Sequence, residues 1–174
     1  IVHRLDKETT GVLLVAKTEA AHRHLATQIA SRSAERRYVA IASGRFENPR
    51  LRIEAPIGRD PSDRRKMMVR TDGKPAITHV RVLAVLDAGS LIVAKLETGR
   101  THQIRVHLAA TGHPLVGDRI YAKGALADGA LQLHAAYIAF DHPVTQIRMS
   151  YFCPPPEDFL ARERIVEDVV TESS

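Results

Sequence analysis

The sequence predicts an α+β domain with a mixed, mostly antiparallel sheet and a few helices. Three observations point there. Strand-like stretches outnumber helical ones, most are joined in pairs by short turns, and 174 residues at 44% hydrophobic content suit one domain with a sizeable core.

Taken in order, residues 12–16 form a continuous apolar run that reads as a buried strand. A helix follows, with Thr18 as N-cap, Glu19 in the first turn, and Ala21, Leu25 and Ile29 recurring on one face as far as Arg32. Residues 38–42 return to strand character and Ser43-Gly44 stops them. The stretch 48–74 is rich in Pro, Gly, Asp and Arg and reads as loops with edge strands at 51–53 and 66–69. Residues 77–86 and 91–98, separated by Asp87-Ala88-Gly89, make a long hairpin. Residues 101–111 are helical, closed by Gly112 and Pro114. A second hairpin, 135–140 with 148–152, turns at His142-Pro143, and three prolines from Pro154 end the sheet before a short acidic helix.

Lys and Arg number 25 against 20 Asp and Glu, a net +5, and 19 of the 25 are arginines, whose planar guanidinium matches phosphate. Residues 1–75 hold 16 basic and 9 acidic groups, whereas 156–174 hold 2 and 6, so a basic body carries an acidic end. A polyanion is the expected partner, with ordinary solvated charge as the alternative. The single cysteine, Cys153, rules out an internal disulfide and a cysteine-based zinc site, which makes the reducing cytoplasm the expected compartment. No apolar run approaches the roughly 20 residues that cross a bilayer, so no membrane partner is expected. The chain opens Ile-Val-His without an initiator Met, which reads as a fragment or a processed chain.

The Walker phosphate loop, the dinucleotide fingerprint, the hydrolase elbow and the zincin pair of histidines are all missing from the sequence. Nine histidines invite a metal, yet His22 and His24 lie two apart on a helix and His102 and His107 five apart, so neither pair shares a face as ligands four apart would. No metal is expected.

Two clusters stand out. HRLDKETTG, from His3 to Gly11, precedes the first apolar run; its Asp6, taken alone, reads first as a turn or cap residue. LETGRTHQIRVHL, from Leu96 to Leu108, passes from strand through a Gly turn into a helix, placing Arg100, Thr101, His102 and Gln103 at a helix N-terminus, where backbone N–H groups favour phosphate. Arg105 falls about 100° from Ile104 on the helical wheel, between Leu108 and Ala109 and so within the apolar arc. A guanidinium held there needs an anionic partner, and Asp6 is the candidate. A guanidinium beside it keeps a carboxylate ionised, as a nucleophile must be; a purely structural ion pair is the other reading.

HRLDKETTGVLLVAKT resembles the HRLD-x-x-T-[ST]-G-L signature of the RluA family of pseudouridine synthases. LETGRTHQIRVHLAATGHPLVGDRIYA is similar to that family's second block, and RRYVAIASG and LQLHAAYIAFDHP also match family elements in order. The likeness covers residues 1–160, which it implies are a catalytic domain with a central cleft, leaving 161–174 as an acidic tail. It implies isomerisation of uridine to pseudouridine in structured RNA without metal or cofactor, by a cytoplasmic monomer. Large-subunit ribosomal RNA is the expected substrate and tRNA the competitor.

Carried over residue by residue, the resemblance makes Asp6 the catalytic carboxylate, Tyr38 the tyrosine of the active-site floor and Arg105 the partner of the aspartate. Arg4 would hold the flipped-out nucleotide or its displaced neighbour. Arg64, Arg65, Lys66 and Arg100 would contact the RNA backbone, with Thr101, His102 and Gln103 also binding substrate. The chemistry suits these types: the reaction needs a nucleophile or charge stabiliser, a surface on which the detached uracil turns, and an acceptor for the C5 proton. The resemblance also implies a preceding segment with a Lys-Pro-x-Gly motif, which this chain lacks, and many members add an RNA-binding domain of S4 type. The competing function is an RNA-binding or ribosome-assembly domain that kept the scaffold and lost catalysis; a histidine-based metallohydrolase is a weaker third.

Overall fold

One strand organises the molecule. Residues Glu35–Ala42 (β2) are buried almost throughout, because their side chains alternate between two cores. Tyr38, Ala40 and Ala42 face one core, which they share with Ile92, Ala94, Leu96, Ile104 and Leu108. Val39 and Ile41 face the other, with Leu91, Val93, Ala136, Phe159, Ile165 and Val170. Such a strand must lie inside a sheet, and it does.

The computed structural model describes residues 1–172. After β1 (Thr10–Gly11) and α1 (Glu19–Ala30) come β2, β3 (Arg50–Glu54), β4 (Ile57–Arg59), β5 (Met67–Val69), β6 (Ile77–Leu86), β7 (Gly89–Leu96), α2 (Gln103–Ala110), β8 (Leu133–Asp141), β9 (Arg148–Phe152) and α3 (Glu167–Thr171). Short 3-10 turns occupy Gly124–Ala127 and Arg162–Arg164. Seven strands form one sheet in the order β1, β8, β2, β7, β6, β3, with β9 also on β8; β4 and β5 make a separate ribbon. Among the described residues only β1 with β8 is parallel. The α+β class and the mostly antiparallel sheet stand as the sequence predicts.

The β6–β7 hairpin forms at the expected turn, with Leu86 opposite Gly89. Helix α1 begins at Thr18, whose hydroxyl accepts the Ala21 N–H at 3.2 Å. It stops two residues short of the predicted end because Arg32 adopts φ 65°, which the helix cannot contain.

Residues 12–16 are not the buried strand that their composition predicts. The outer edge of β8 is already shared: β1 takes His134 and Ala135, and β9 takes Tyr137 through Asp141. After one further hydrogen bond, Val12 N–H to Ala135 at 2.9 Å, the chain leaves the sheet. Val12, Leu14 and Ala16 then pack with α1 over Ile138 and Phe140, while Leu13 and Val15 face solvent. Strand β2, conversely, starts three residues before Tyr38, because Arg36 and Arg37 are buried strand residues that their charge disguised.

Residue 160 is not a break in packing either. Phe159, Ile165 and Val170 belong to one core, and Arg37 donates to the backbone carbonyls of Val170 and Glu172, both at 2.9 Å, where a helix end favours a cation. The stretch expected to trail as an acidic tail is therefore seated on the sheet as far as Glu172; Ser173 and Ser174 lie outside the described residues.

The chain around Asp6 joins the sheet through Gly11, at φ +116°, where a Cβ would stand 2.2 Å from the Ala135 carbonyl oxygen. Gly11→Ala should cost about 2–3 kcal/mol in urea denaturation through backbone strain and collision. An unchanged midpoint would show that this strand can shift freely.

Candidate active site

A cleft of ≈ 340 Å³ opens between the N-terminal loop, the last turn of α1, the floor strand β2 and the loop that leads into α2. Asp6, Tyr38, Arg105, Arg4, Arg100, Thr101, His102 and Gln103 all line it, from segments far apart in sequence. The fold thus gathers eight of the eleven residues that the sequence singled out. Arg64, Arg65 and Lys66 do not line the cleft. They lie in the loop between β4 and β5, where Arg65 is paired with Asp63 at 3.0 Å and the Arg64 carbonyl accepts from Arg59.

Asp6 sits in a turn closed by the Thr9 N–H on its carbonyl at 3.0 Å, just before β1. The Thr10 hydroxyl anchors this turn on His134 Nδ1 at 2.8 Å, while His134 Nε2 donates to the Cys153 carbonyl at 2.9 Å. Burial lowers the His134 pKa, so the imidazole stays neutral and both bonds keep their sense.

Arg105 is buried on α2, as the wheel requires, but Asp6 is not its main partner. Its Nε and Nη2 donate to Asp118 at 2.8 and 2.7 Å, a bidentate pair, and its Nη1 reaches Asp6 Oδ2 at 3.3 Å. Asp118 is fully buried and also accepts the N–H groups of Ile120 and Tyr121. Burial opposes the charge on both members. Hydrogen bonds and charge attraction together outweigh it, holding the carboxyl below its usual range and the guanidinium above its own. The Tyr121 ring lies 5.2 Å from the guanidinium and closes it off from solvent. Asp6 keeps 16% of its side chain exposed, against 3% for Arg105, so its carboxylate is held from behind and open in front.

Tyr38 is 7% exposed on the cleft face of β2, and burial raises the pKa of its phenol, with the nearby Asp6 charge adding to the effect. The phenol is therefore protonated near neutral pH. His102 adopts φ 56°, and its Nδ1 meets the Tyr121 hydroxyl at 2.8 Å. That hydroxyl also accepts the Met67 N–H, tying the β4–β5 ribbon to the start of α2.

Gln103 is a brace rather than a substrate contact. Its amide donates to the Ile77 carbonyl and Thr78 hydroxyl and accepts from the Thr98 hydroxyl and the Arg100 N–H, which uses its whole capacity inside the protein. Sequence reasoning missed Asp118, although a buried arginine demands a buried carboxylate. It also missed Arg36, hidden in a run of charged residues that opens an apolar strand. The remaining cleft charge is positive: Glu97 holds Arg32 at 2.5 Å, whereas Arg4, Arg36 and Arg100 have no carboxylate partner among the described residues.

Comparison with known proteins agrees with this geometry. Residues 1–110 match the family model described as RNA pseudouridylate synthase. The uncharacterized RNA pseudouridine synthase YlyB of Bacillus subtilis (strain 168) is 45% identical over 159 residues, covering 91% of this chain and 52% of that protein. Ribosomal large subunit pseudouridine synthase D of Pseudomonas aeruginosa is 46% identical over 174 residues, covering 92% and 54%. Among solved structures, human RNA pseudouridylate synthase domain containing 1 superposes with a TM-score of 0.77 at 33% identity, covering 89% of this chain and 68% of that one. The fold is that of a pseudouridylate synthase domain. The chain belongs to the RNA pseudouridylate synthase family, and it spans about half the length of the curated relatives it matches.

The Arg105–Asp118 pair makes a pH-dependent contribution to stability. Because the folded pKa of Asp118 lies below its unfolded value, this contribution is complete above the ordinary carboxylate pKa of about 4 and fades as pH falls through the lower folded value. Asp118→Asn should therefore lose about 3 kcal/mol at pH 7, with the gap to the parent closing in acid. Urea midpoints from pH 7 to 3 measure it, and a pH-independent gap would contradict the assignment.

Proposed function

We propose that this chain is the catalytic body of an enzyme that isomerises uridine to pseudouridine in structured RNA. The observation that carries the proposal is the Asp6 carboxylate at the cleft, backed by a buried guanidinium whose charge a second carboxylate already balances. Asp6 supplies the negative charge that works at the sugar or the base. The C1′–N1 bond breaks, the uracil turns over the Tyr38 ring, and C1′ bonds to C5. C5 then releases its proton and N1 takes one up. A ring needs little more than a flat wall to turn against, and Tyr38 provides it without leaving the strand.

Arg105 is a positioning residue in this scheme, not a catalytic one, since it lies beneath Asp6 and reaches the reaction only through it. Arg4 and Arg100, exposed at the rim, offer charge to the RNA backbone, and flipping the target base costs a few kcal/mol that such contacts offset. Large-subunit ribosomal RNA is the substrate we favour, because relatives across most of this chain are named for it. With that substrate, the enzyme we propose acts in the cytoplasm, as a monomer.

Asp6→Asn should reduce pseudouridine formation by more than about 10³-fold while leaving the melting temperature within about 2 °C, because Arg105 keeps both bonds to Asp118. Carbodiimide-dependent reverse-transcription stops on ribosomal RNA read the product. Turnover retained by this variant would refute the catalytic role of Asp6, and sites unchanged in cells lacking the gene would favour the RNA-binding alternative.

A further inference from the structure

Three buried side-chain polar atoms lack a hydrogen-bond partner among the described residues: His3 Nδ1, Thr9 Oγ1 and Arg36 Nε. All three residues line the cleft. Buried polar groups are satisfied almost everywhere in folded proteins, so orphans gathered in one place mark where a ligand supplies the missing partner.

Arg36 is the decisive member. Only 5% of it is exposed, and its side chain enters no ion pair or hydrogen bond among the described residues, unlike that of Arg105 on α2 or of Arg37 next to it in sequence. It sits on the cleft face of β2, two residues before Tyr38. Its guanidinium occupies space that Gly99 leaves open, for a Cβ there would come within 2.7 Å of Nη1. A side chain of any size at position 99 would displace it. Burying a cation without a counter-charge is unfavourable for folding alone, so the arrangement is one that an arriving anion completes.

The other two orphans fit the same guest. His3 Nε2 accepts the Leu14 N–H at 3.1 Å, and burial together with the Arg36 charge lowers the ring's pKa to about 4. The neutral ring therefore carries its proton on Nδ1, which makes the orphan a donor. Thr9 adds a hydroxyl. A guanidinium fork, an imidazole N–H and a hydroxyl call for a group that only accepts, bears negative charge and has several oxygens.

We propose that Arg36, with His3 and Thr9, forms a subsite that grips the phosphodiester of the flipped uridine, a role resting on the pseudouridine synthase reading above. It fixes the sugar over Asp6, whereas Arg4 and Arg100 at the rim hold neighbouring phosphates.

Thermal unfolding of the full chain with and without inorganic phosphate, uridine 5′-monophosphate or uridine tests this apart from catalysis. Phosphate and the monophosphate should each raise the melting temperature by about 3 °C at saturation and uridine by less than about 1 °C, while Arg36→Met should respond to none of them. Without ligand, Arg36→Met should melt no lower than the parent, since it removes an uncompensated charge. With ribosomal RNA, Arg36→Met should bind about 10-fold more weakly with a salt slope smaller by about 1, and Arg36→Lys should recover part of the loss. A phosphate response equal to the parent's, or a ligand-free melting temperature well below it, would overturn the subsite. Should the parent respond to phosphate yet make no pseudouridine, the catalytic reading falls and the subsite stands; should Arg36→Met form pseudouridine at the parent's kcat/KM, the subsite alone falls.

Discussion

The ion pair between Arg105 and Asp118 is the interaction on which the rest of the cleft depends. A guanidinium cannot shed its proton, so burying one inside a helix-to-sheet interface commits the fold to bringing a carboxylate to it. Asp118 does so with both oxygens, and backbone N–H groups hold it in turn. With that account closed, the third arm of the guanidinium is free to orient a different carboxylate without neutralising it. Asp6 is thereby steadied in a place where it still faces solvent. One arginine thus serves two aspartates, one of them buried and one open to the cleft.

Tyr38, Arg36 and Arg37 show how one strand serves several ends. Alternation along β2 sends Arg36 and Tyr38 into the cleft and Arg37 to the reverse face, where it binds the carbonyls at the end of α3. The floor of the site is therefore rigid, since its strand is hydrogen-bonded on both sides and covered on both faces. The walls differ. The N-terminal loop joins the sheet through the short strand β1 and the Val12 N–H, and the opposite wall enters α2 through a residue in the left-handed region.

Much of this was legible in the sequence. The hairpins, the two longer helices and the antiparallel character followed from turn residues and periodicity, and Asp6, Tyr38 and Arg105 stood out from motif and helical wheel. What escaped has a common cause: it depended on competition or pairing across the fold. The apolar run at 12–16 has the composition of a strand, but the edge it would occupy is filled by β9, whose position no local pattern reveals. Asp118 lies 13 residues beyond Arg105 and within the second family block, but its pairing with a buried guanidinium is set only by the fold. The basic triplet Arg64-Arg65-Lys66 lies outside the cleft, a distance that charge visible in sequence does not reveal. Gln103 was misread for the opposite reason, since its neighbours line the cleft while its own amide is used up inside.

The far edge of the large sheet has a consequence for solubility. Strand β3 ends the sheet opposite β1 and the Asp6 loop, and an uncovered strand edge invites pairing with another chain. Its sequence, Arg-Leu-Arg-Ile-Glu, turns Ile53 inward and sets charge on the exposed positions in between, with Arg52 tied to Glu54. A second molecule approaching in register would have to desolvate these charges to add a strand. The protein thus guards itself against edge-to-edge aggregation at the end of the sheet farthest from its chemistry, where charge does not disturb the cleft.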